Sequence, residues 1–312
     1  MKRLFLFCIL FASFFTMHGK KKATKYISSA ITYELNGGRF GDNLLSYSRA
    51  KWLSYQSGLP LYYKRFPYCH ELKLFKEEEY YYTDDIRQNF ARIKYTATSQ
   101  VLKPYNNTLY INTWDTQVNI NWNDSVFIEE LKRMIAPRYD IQTVSIPEGY
   151  VSIAAHVRNG GGYAVDNWHE KERCPLRFVP EEFFIDQIKR IAQMYPDQRL
   201  YVYIFTDHKE PEKLVNKFAQ ALEEYNITFG CHCDSAGHNV NVLEDFFSMM
   251  KFDCLIRPGS HFSRFVERLG NNKLVIYPRS VIKLKDQPAI INMIGIKHRT
   301  DKGWKTIKVQ IA

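Results

Sequence analysis

Three absences bound the reading of this 312-residue sequence. No Asp-x-Asp pair occurs anywhere, so the usual carboxylate clamp for a metal-bound diphosphate is missing. No glycine loop ends in Gly-Lys-Ser/Thr, which excludes a P-loop, and none has the G-x-G-x-x-G spacing of a dinucleotide dehydrogenase. Internal repeats and low-complexity blocks are also lacking. Cysteine is scarce: with Cys8 set aside in the first apolar run, Cys69, Cys174, Cys231, Cys233 and Cys254 are odd in number, so no complete disulfide framework can be assumed. Cys231-His232-Cys233, with His238 nearby, has no second matched pair and reads as structural; no metal site is expected.

Acid is absent from residues 1–22, where Lys2, Arg3, Lys20, Lys21 and Lys22 sit; setting these five cations aside brings the formal charge from +10 to +5. That balance, without a clustered basic stripe, disfavours a nucleic-acid partner and suits an anionic small molecule. Only one long apolar run exists, residues 4–17. Preceded by two cations and too short for a typical spanning helix, it reads as the core of a signal peptide or signal anchor within residues 1–25. The expected location is the secretory pathway or periplasm, or a membrane held through residues 4–17. Three Asn-x-Ser/Thr sequons, at Asn106, Asn123 and Asn226, matter only in a glycosylating host.

What is present is a folded chain, 45% hydrophobic and 15% aromatic, long enough for two cores. Its second half alternates strands and helices. Apolar runs at 150–157, 200–205, 227–229, 254–256 and 274–277 read as strands, and helices fit near 180–195, 211–225, 242–252 and 262–269. A βαβ series of this kind demands a parallel sheet covered by helices. The first half repeats the theme less cleanly, with a strand at 27–35, a glycine loop at 36–42, a helix at 43–57, a strand at 60–63 and a helix at 124–136. The sequence therefore predicts an α/β protein of two Rossmann-like domains facing a cleft. The divisions expected are a 26–148 acceptor-side domain, a 149–283 nucleotide-sugar domain and a 284–312 tail.

The most informative stretch is His156-Val-Arg-Asn-Gly-Gly-Gly162, directly after the apolar run Tyr150-Val-Ser-Ile-Ala-Ala155. It places a guanidinium and bare N–H groups at the carboxyl end of a strand, where open α/β sheets bind ligands. An arginine there can grip a phosphate with two parallel charge-assisted bonds. A second glycine-arginine loop, Gly37-Gly-Arg-Phe-Gly41, precedes the first helix of the other half, and both loops are expected to face one cleft.

Gly38-Arg-Phe-Gly-Asp-Asn43 resembles the Gly-Arg-Phe-Gly-Asn-Gln signature of protein O-fucosyltransferases and the glycine-rich counterpart in α1,2-fucosyltransferases. His156-Val-Arg158 resembles the His-x-Arg of both groups. Phe205-Thr-Asp207 is similar to their strand-end Thr-Asp or Ser-Asp, and 245–268, with Ser260 and Ser263, is similar to their last motif. The ordered set spans most of residues 30–280. It implies a GT-B type inverting glycosyltransferase that uses GDP-fucose as donor, a glycan or glycoprotein hydroxyl as acceptor, and neither metal nor other cofactor. Two departures stand out: Asn159 and glycines follow Arg158 where the α1,2 enzymes carry Arg-Arg-Gly-Asp, and Asp42 replaces the signature asparagine.

Charge distributes the roles. Cleaving a sugar–diphosphate bond leaves negative charge that must be stabilised, and Arg158 with the N–H groups of 159–162 is the first candidate. Gly38, Arg39, Phe40, Gly41, Asn43, His156, Asn159, Gly160, Asp207, Ser260, His261 and Ser263 complete the expected donor-binding set, Asp207 by family resemblance alone. His156 either orients Arg158 or is a core histidine, and the two serines are either helix caps or ligands. The acceptor's proton needs a base. Asp42 takes that role by motif, or else caps the helix; Asp166, His169 and Glu170 are the alternatives. Acceptor contacts are expected from 65–125 and 163–178. Three other readings stay open: another nucleotide sugar, a non-catalytic glycan- or nucleotide-binding relative of the fold, and a hydrolase acting without nucleotide.

Overall fold

The computed structural model describes residues 29–98, 107–159, 174–232, 241–282, 290–301 and 303–311. The segment expected to direct secretion, along with Gly160, Asp166, His169, Glu170, Cys233 and His238, lies outside them. Among the described residues no helix is long and apolar enough to cross a membrane.

The first half comprises β1 (Ser29–Tyr33), α1 (Phe40–Ser57), β2 (Tyr62–Tyr63), α2 (Leu74–Glu77), β3 (Tyr80–Tyr81), β4 (Arg92–Thr98), β5 (Thr108–Gln117) and α3 (Ser125–Ile135). Every residue of β1 is buried, and β1 pairs in parallel with β5, which pairs in parallel with β4. Neither β4 nor β5 was expected. A parallel bridge from Ile31 to Leu61 brings in β2, itself parallel to β3. Gly58 ends α1 in the left-handed conformation (φ 68), returning its N–H to Ser54 O at 2.8 Å. Asp124 caps α3 by accepting the Phe127 N–H at 3.0 Å.

The second half follows the predicted alternation: β6 (Tyr150–Val157), α4 (Glu181–Met194), β7 (Arg199–Thr206), α5 (Pro211–Ala221), β8 (Ile227–Cys231), α6 (Val242–Met249), β9 (Cys254–Ile256), α7 (His261–Leu269) and β10 (Leu274–Ile282). The described residues of the expected 284–312 tail belong to the sheet. They supply β11 (Ile290–Thr300) and β12 (Gly303–Gln310), antiparallel additions beside β10. Burial of Ile291, Ile294 and Ile296 drives this, because those side chains extend the core beneath the sheet. The strand order is β12-β11-β10-β9-β6-β7-β8. The chain runs outward from β6 to β7 and β8, then returns to the other side of β6 as β9. The gap between β6 and β9 is thus the topological switch point, where such sheets bind ligands.

Two cores result. Under one face, Phe184 and Ile188 of α4 and Leu214 and Phe218 of α5 pack on the sheet. On the other, Phe246 of α6 and Phe265 of α7 join Leu44, Tyr47 and Trp52 of α1 in one continuous apolar cluster that welds the two halves. The 137–149 connection runs past α6, tied by Val144 N–H to Ser248 Oγ at 2.9 Å.

One buried ionic group braces this arrangement. Glu267 of α7, 1% exposed, pairs with Arg257 after β9, whose Nε donates at 2.6 Å, and with Lys297 of β11 at 2.5 Å. Burial alone would raise the Glu267 carboxyl; the charges of Arg257 and Lys297 outweigh it and hold the acid below its ordinary range.

Candidate active site

A cleft of about 520 Å³ opens where the two halves meet at the switch point. Ten of the expected residues line it: Gly38, Arg39, Phe40, Gly41 and Asp42 from the first half, His156 and Arg158 after β6, Asp207 after β7, and Ser260 and His261 at the start of α7.

The first half delivers its residues differently from expectation. Helix α1 begins at Phe40, not Asn43, so Phe40, Gly41 and Asp42 form its first turn and Arg39 precedes it. Asp42 is therefore an acid within the first turn and not the cap. Phe40 is buried in an edge-to-face aromatic group with Phe246 (5.4 Å between centroids) and Phe262 (6.2 Å), and anchors the loop from behind. Glycine at 41 has a steric cause: a Cβ there would sit 2.4 Å from the Phe262 backbone nitrogen. The starts of α1 and α7 thus touch backbone to backbone. Gly41→Ala is expected to cost about 1–3 kcal/mol by overpacking. Gly37→Ala, at φ 71 in open space, should cost about 1 kcal/mol from strain alone. Urea unfolding of the two variants would show the difference.

Asn43 does not reach the cleft. It is buried, and its Nδ2 donates to Gly38 O at 3.1 Å, holding the glycine loop in shape. Ser263 is likewise buried away from the cleft, its Oγ without a partner. The Asn159 N–H, expected to face phosphate, donates to Asp207 Oδ1 at 2.6 Å.

Asp207 has its other oxygen 3.7 Å from Arg39 Nη1, an ion pair that crosses between the halves. A second crossing joins His261 Nδ1 to Asp42 Oδ1 at 2.7 Å. Burial pushes the Asp42 carboxyl up, but the hydrogen bond and charge of His261, aided by Arg177, prevail and leave it below the usual range. The third cleft acid, Asp245 of α6, lies 3.2 Å from His232 Nε2, and burial raises its pKa. His232 thus faces a carboxylate.

The cations are less balanced. Arg158 is 9% exposed, with Nε buried and lacking a hydrogen-bond partner. Its guanidinium stands over the Phe178 ring at 5.4 Å, and among the described residues no carboxylate lies within ion-pair distance. Beside it His156, packed on Phe262, also has a buried unpartnered Nδ1; burial depresses its pKa to about 4, so the ring is neutral near pH 7. A third cleft cation, Arg177, escaped the sequence reading. The 174–178 turn folds onto the β9–α7 loop through Gly259 N–H to Leu176 O at 2.6 Å, a contact with no local sequence signal. Arg177 and, from the 65–125 stretch, Pro67 and Tyr68 are the cleft contacts made by the two regions expected to meet an acceptor.

No side chain caps α7, so its first N–H groups add to this anion-seeking surface. A polar cleft holding a buried arginine that, among the described residues, faces no carboxylate within ion-pair distance can bind a diphosphate and stabilise charge developing on it.

The architecture is similar to that of two solved structures. One is a variant of Arabidopsis thaliana FUT1 in complex with GDP, with TM-score 0.53 and 12% identity over 81% of this chain and 71% of that one. The other is the fucosyltransferase NodZ from Bradyrhizobium, with TM-score 0.50 and 13% identity over 80% and 95%. No protein-family model and no curated protein matches the chain. At such identities the likeness establishes the fold, an α/β GT-B arrangement of two Rossmann-like halves.

Proposed function

We propose that this chain, built on the fold of FUT1 and NodZ, is a glycosyltransferase that moves fucose from GDP-fucose to a hydroxyl of a glycan or protein, with inversion and without a metal. The observation that carries the reading is Arg158: a buried guanidinium at the switch point that, among the described residues, has no carboxylate within ion-pair distance and leaves its Nε without a partner. Leaving a charge so placed is costly unless an anion completes the site. A nucleoside diphosphate does so, and the charge released on its β-phosphate as the sugar departs strengthens the interaction in the transition state. Arg177 and the uncapped start of α7 supply further donors. With no Asp-x-Asp in the sequence, these organic cations take the place of a metal. The structure of FUT1 was determined with GDP, which supports the choice of nucleotide. The N-terminal apolar segment would deliver the enzyme to a secretory or periplasmic compartment, where glycan acceptors reside.

Calorimetric titration of the protein with GDP, GDP-fucose, GDP-mannose, UDP-glucose and CMP, in EDTA, tests this. Selective binding of GDP and GDP-fucose is expected, with slow GDP release from the latter. Tight binding of a UDP-sugar would move the donor, and a folded protein that binds no nucleotide would overturn the phosphate-cleft reading.

A further inference from the structure

Resting on the glycosyltransferase reading, we infer that His261 is the general base of the reaction and that Asp42, the base expected from sequence, is instead the residue that positions it. The geometry assigns the roles. An ionised carboxylate only accepts, so the 2.7 Å contact places a proton on His261 Nδ1, and in the neutral ring the lone pair is then on Nε2. Among the described residues no partner for Nε2 is present, and the imidazole, with 38% of its side chain exposed, lines the same cleft as Arg158. Asp42 is the poorer base on two counts. Its Oδ1 is already taken by the imidazole, and against the effect of burial that hydrogen bond, with the charge of Arg177, helps hold its carboxyl below the usual range.

The pair is also rigidly set. His261 is the first residue of α7 and Asp42 lies in the first turn of α1, and the two helix starts meet where Gly41 leaves no room for a Cβ against Phe262. Neither partner can drift without separating the two halves. In the step itself, His261 Nε2 takes the hydroxyl proton as the acceptor oxygen bonds to the anomeric carbon. The bond from that carbon to the phosphate oxygen breaks, and its electron pair passes to the β-phosphate facing Arg158. The imidazolium so formed is stabilised by Asp42 and later returns its proton to solvent.

The test measures GDP release from GDP-fucose with water as the acceptor. His261→Ala is expected to lower kcat by roughly 100-fold, within the usual range for a lost general base, while KM for GDP-fucose and the Kd for GDP stay within about threefold. Added imidazole should restore part of the lost rate, which no structural role would allow. Asp42→Asn should lower kcat at unchanged GDP affinity and resist imidazole. His261→Gln, which keeps a donor toward Asp42, serves if the alanine variant does not fold. Wild-type turnover in either His261 variant overturns the assignment, as does a loss of GDP affinity that accounts for the whole effect, since His261 would then be a phosphate ligand. Failure of the wild-type protein to bind GDP-fucose would instead remove the functional reading beneath it.

Discussion

Arg158→Ala should weaken GDP binding by roughly 100- to 1,000-fold while the unliganded protein keeps or gains stability. The affinity loss follows from removing one member of a desolvated charge pair, which costs about 2–5 kcal/mol, at about 1.4 kcal/mol per tenfold. The stability forecast runs against the usual effect of truncating a buried side chain. Arg158 is 9% exposed and its Nε has no partner among the described residues, so the free protein carries a desolvation cost that alanine relieves. Its stacking over Phe178 offsets only part of this. Thermal unfolding with and without GDP checks both halves at once: the wild type should shift upward with nucleotide and the variant should not. An Arg158→Ala protein that binds GDP normally, or that loses more than about 2 kcal/mol unliganded, would make the arginine a structural residue.

Glu267→Leu is expected to destabilise the fold by about 3–5 kcal/mol, the penalty for stranding buried charges. Two cations depend on this one acid: Arg257, 4% exposed, and Lys297. With Glu267 in α7, Arg257 in the β9–α7 loop and Lys297 in β11, the group joins three elements, so the loss spreads across that side of the second half. Lys297→Met, which leaves the Arg257–Glu267 pair intact, should cost far less, about 1 kcal/mol. Urea denaturation of the two variants separates them. Near-equal losses would mean that Lys297, not the arginine, is the partner that matters. Because Arg257 begins the loop that leads to Ser260 and His261, Glu267→Leu should also loosen the cleft wall and raise the Kd for GDP.

Much of the second half was legible because its strands are continuous apolar runs and its helices carry apolar residues at helical spacing, as Phe184, Ile188 and Ile191 do in α4. The placement of Arg158 at a strand end followed directly. Strand β5 was not legible, since Thr108, Asn112 and Thr116 are polar yet buried. Thr96 across the ladder satisfies two of them: Asn112 Nδ2 donates to Thr96 Oγ1 at 3.2 Å, and Thr116 Oγ1 to Thr96 O at 2.6 Å. Pairings of that kind lie outside any local pattern. The early start of α1 was hidden for a similar reason. Glycine at 41 is a poor helix residue and Arg39 makes no cap, but contact with α7 overrides both preferences. The strands of the supposed tail were missed because they depend on β10 for their pairing. In the cleft, residue identities were readable, but the cross-cleft partners were not: Asp42 lies 219 positions from His261.

The outermost strand, β12, has a consequence for how this protein behaves in a crowded solution. A sheet edge offers unpaired backbone groups to any extended chain that drifts past, and β11 would be a dangerous edge, with Ile290, Ile291, Ile294 and Ile296 in sequence. By covering it, β12 moves the boundary outward to a strand whose exposed Lys305 and Lys308 repel a like neighbour. Its job in the fold is therefore in part protective, guarding the sheet against self-association into aggregates.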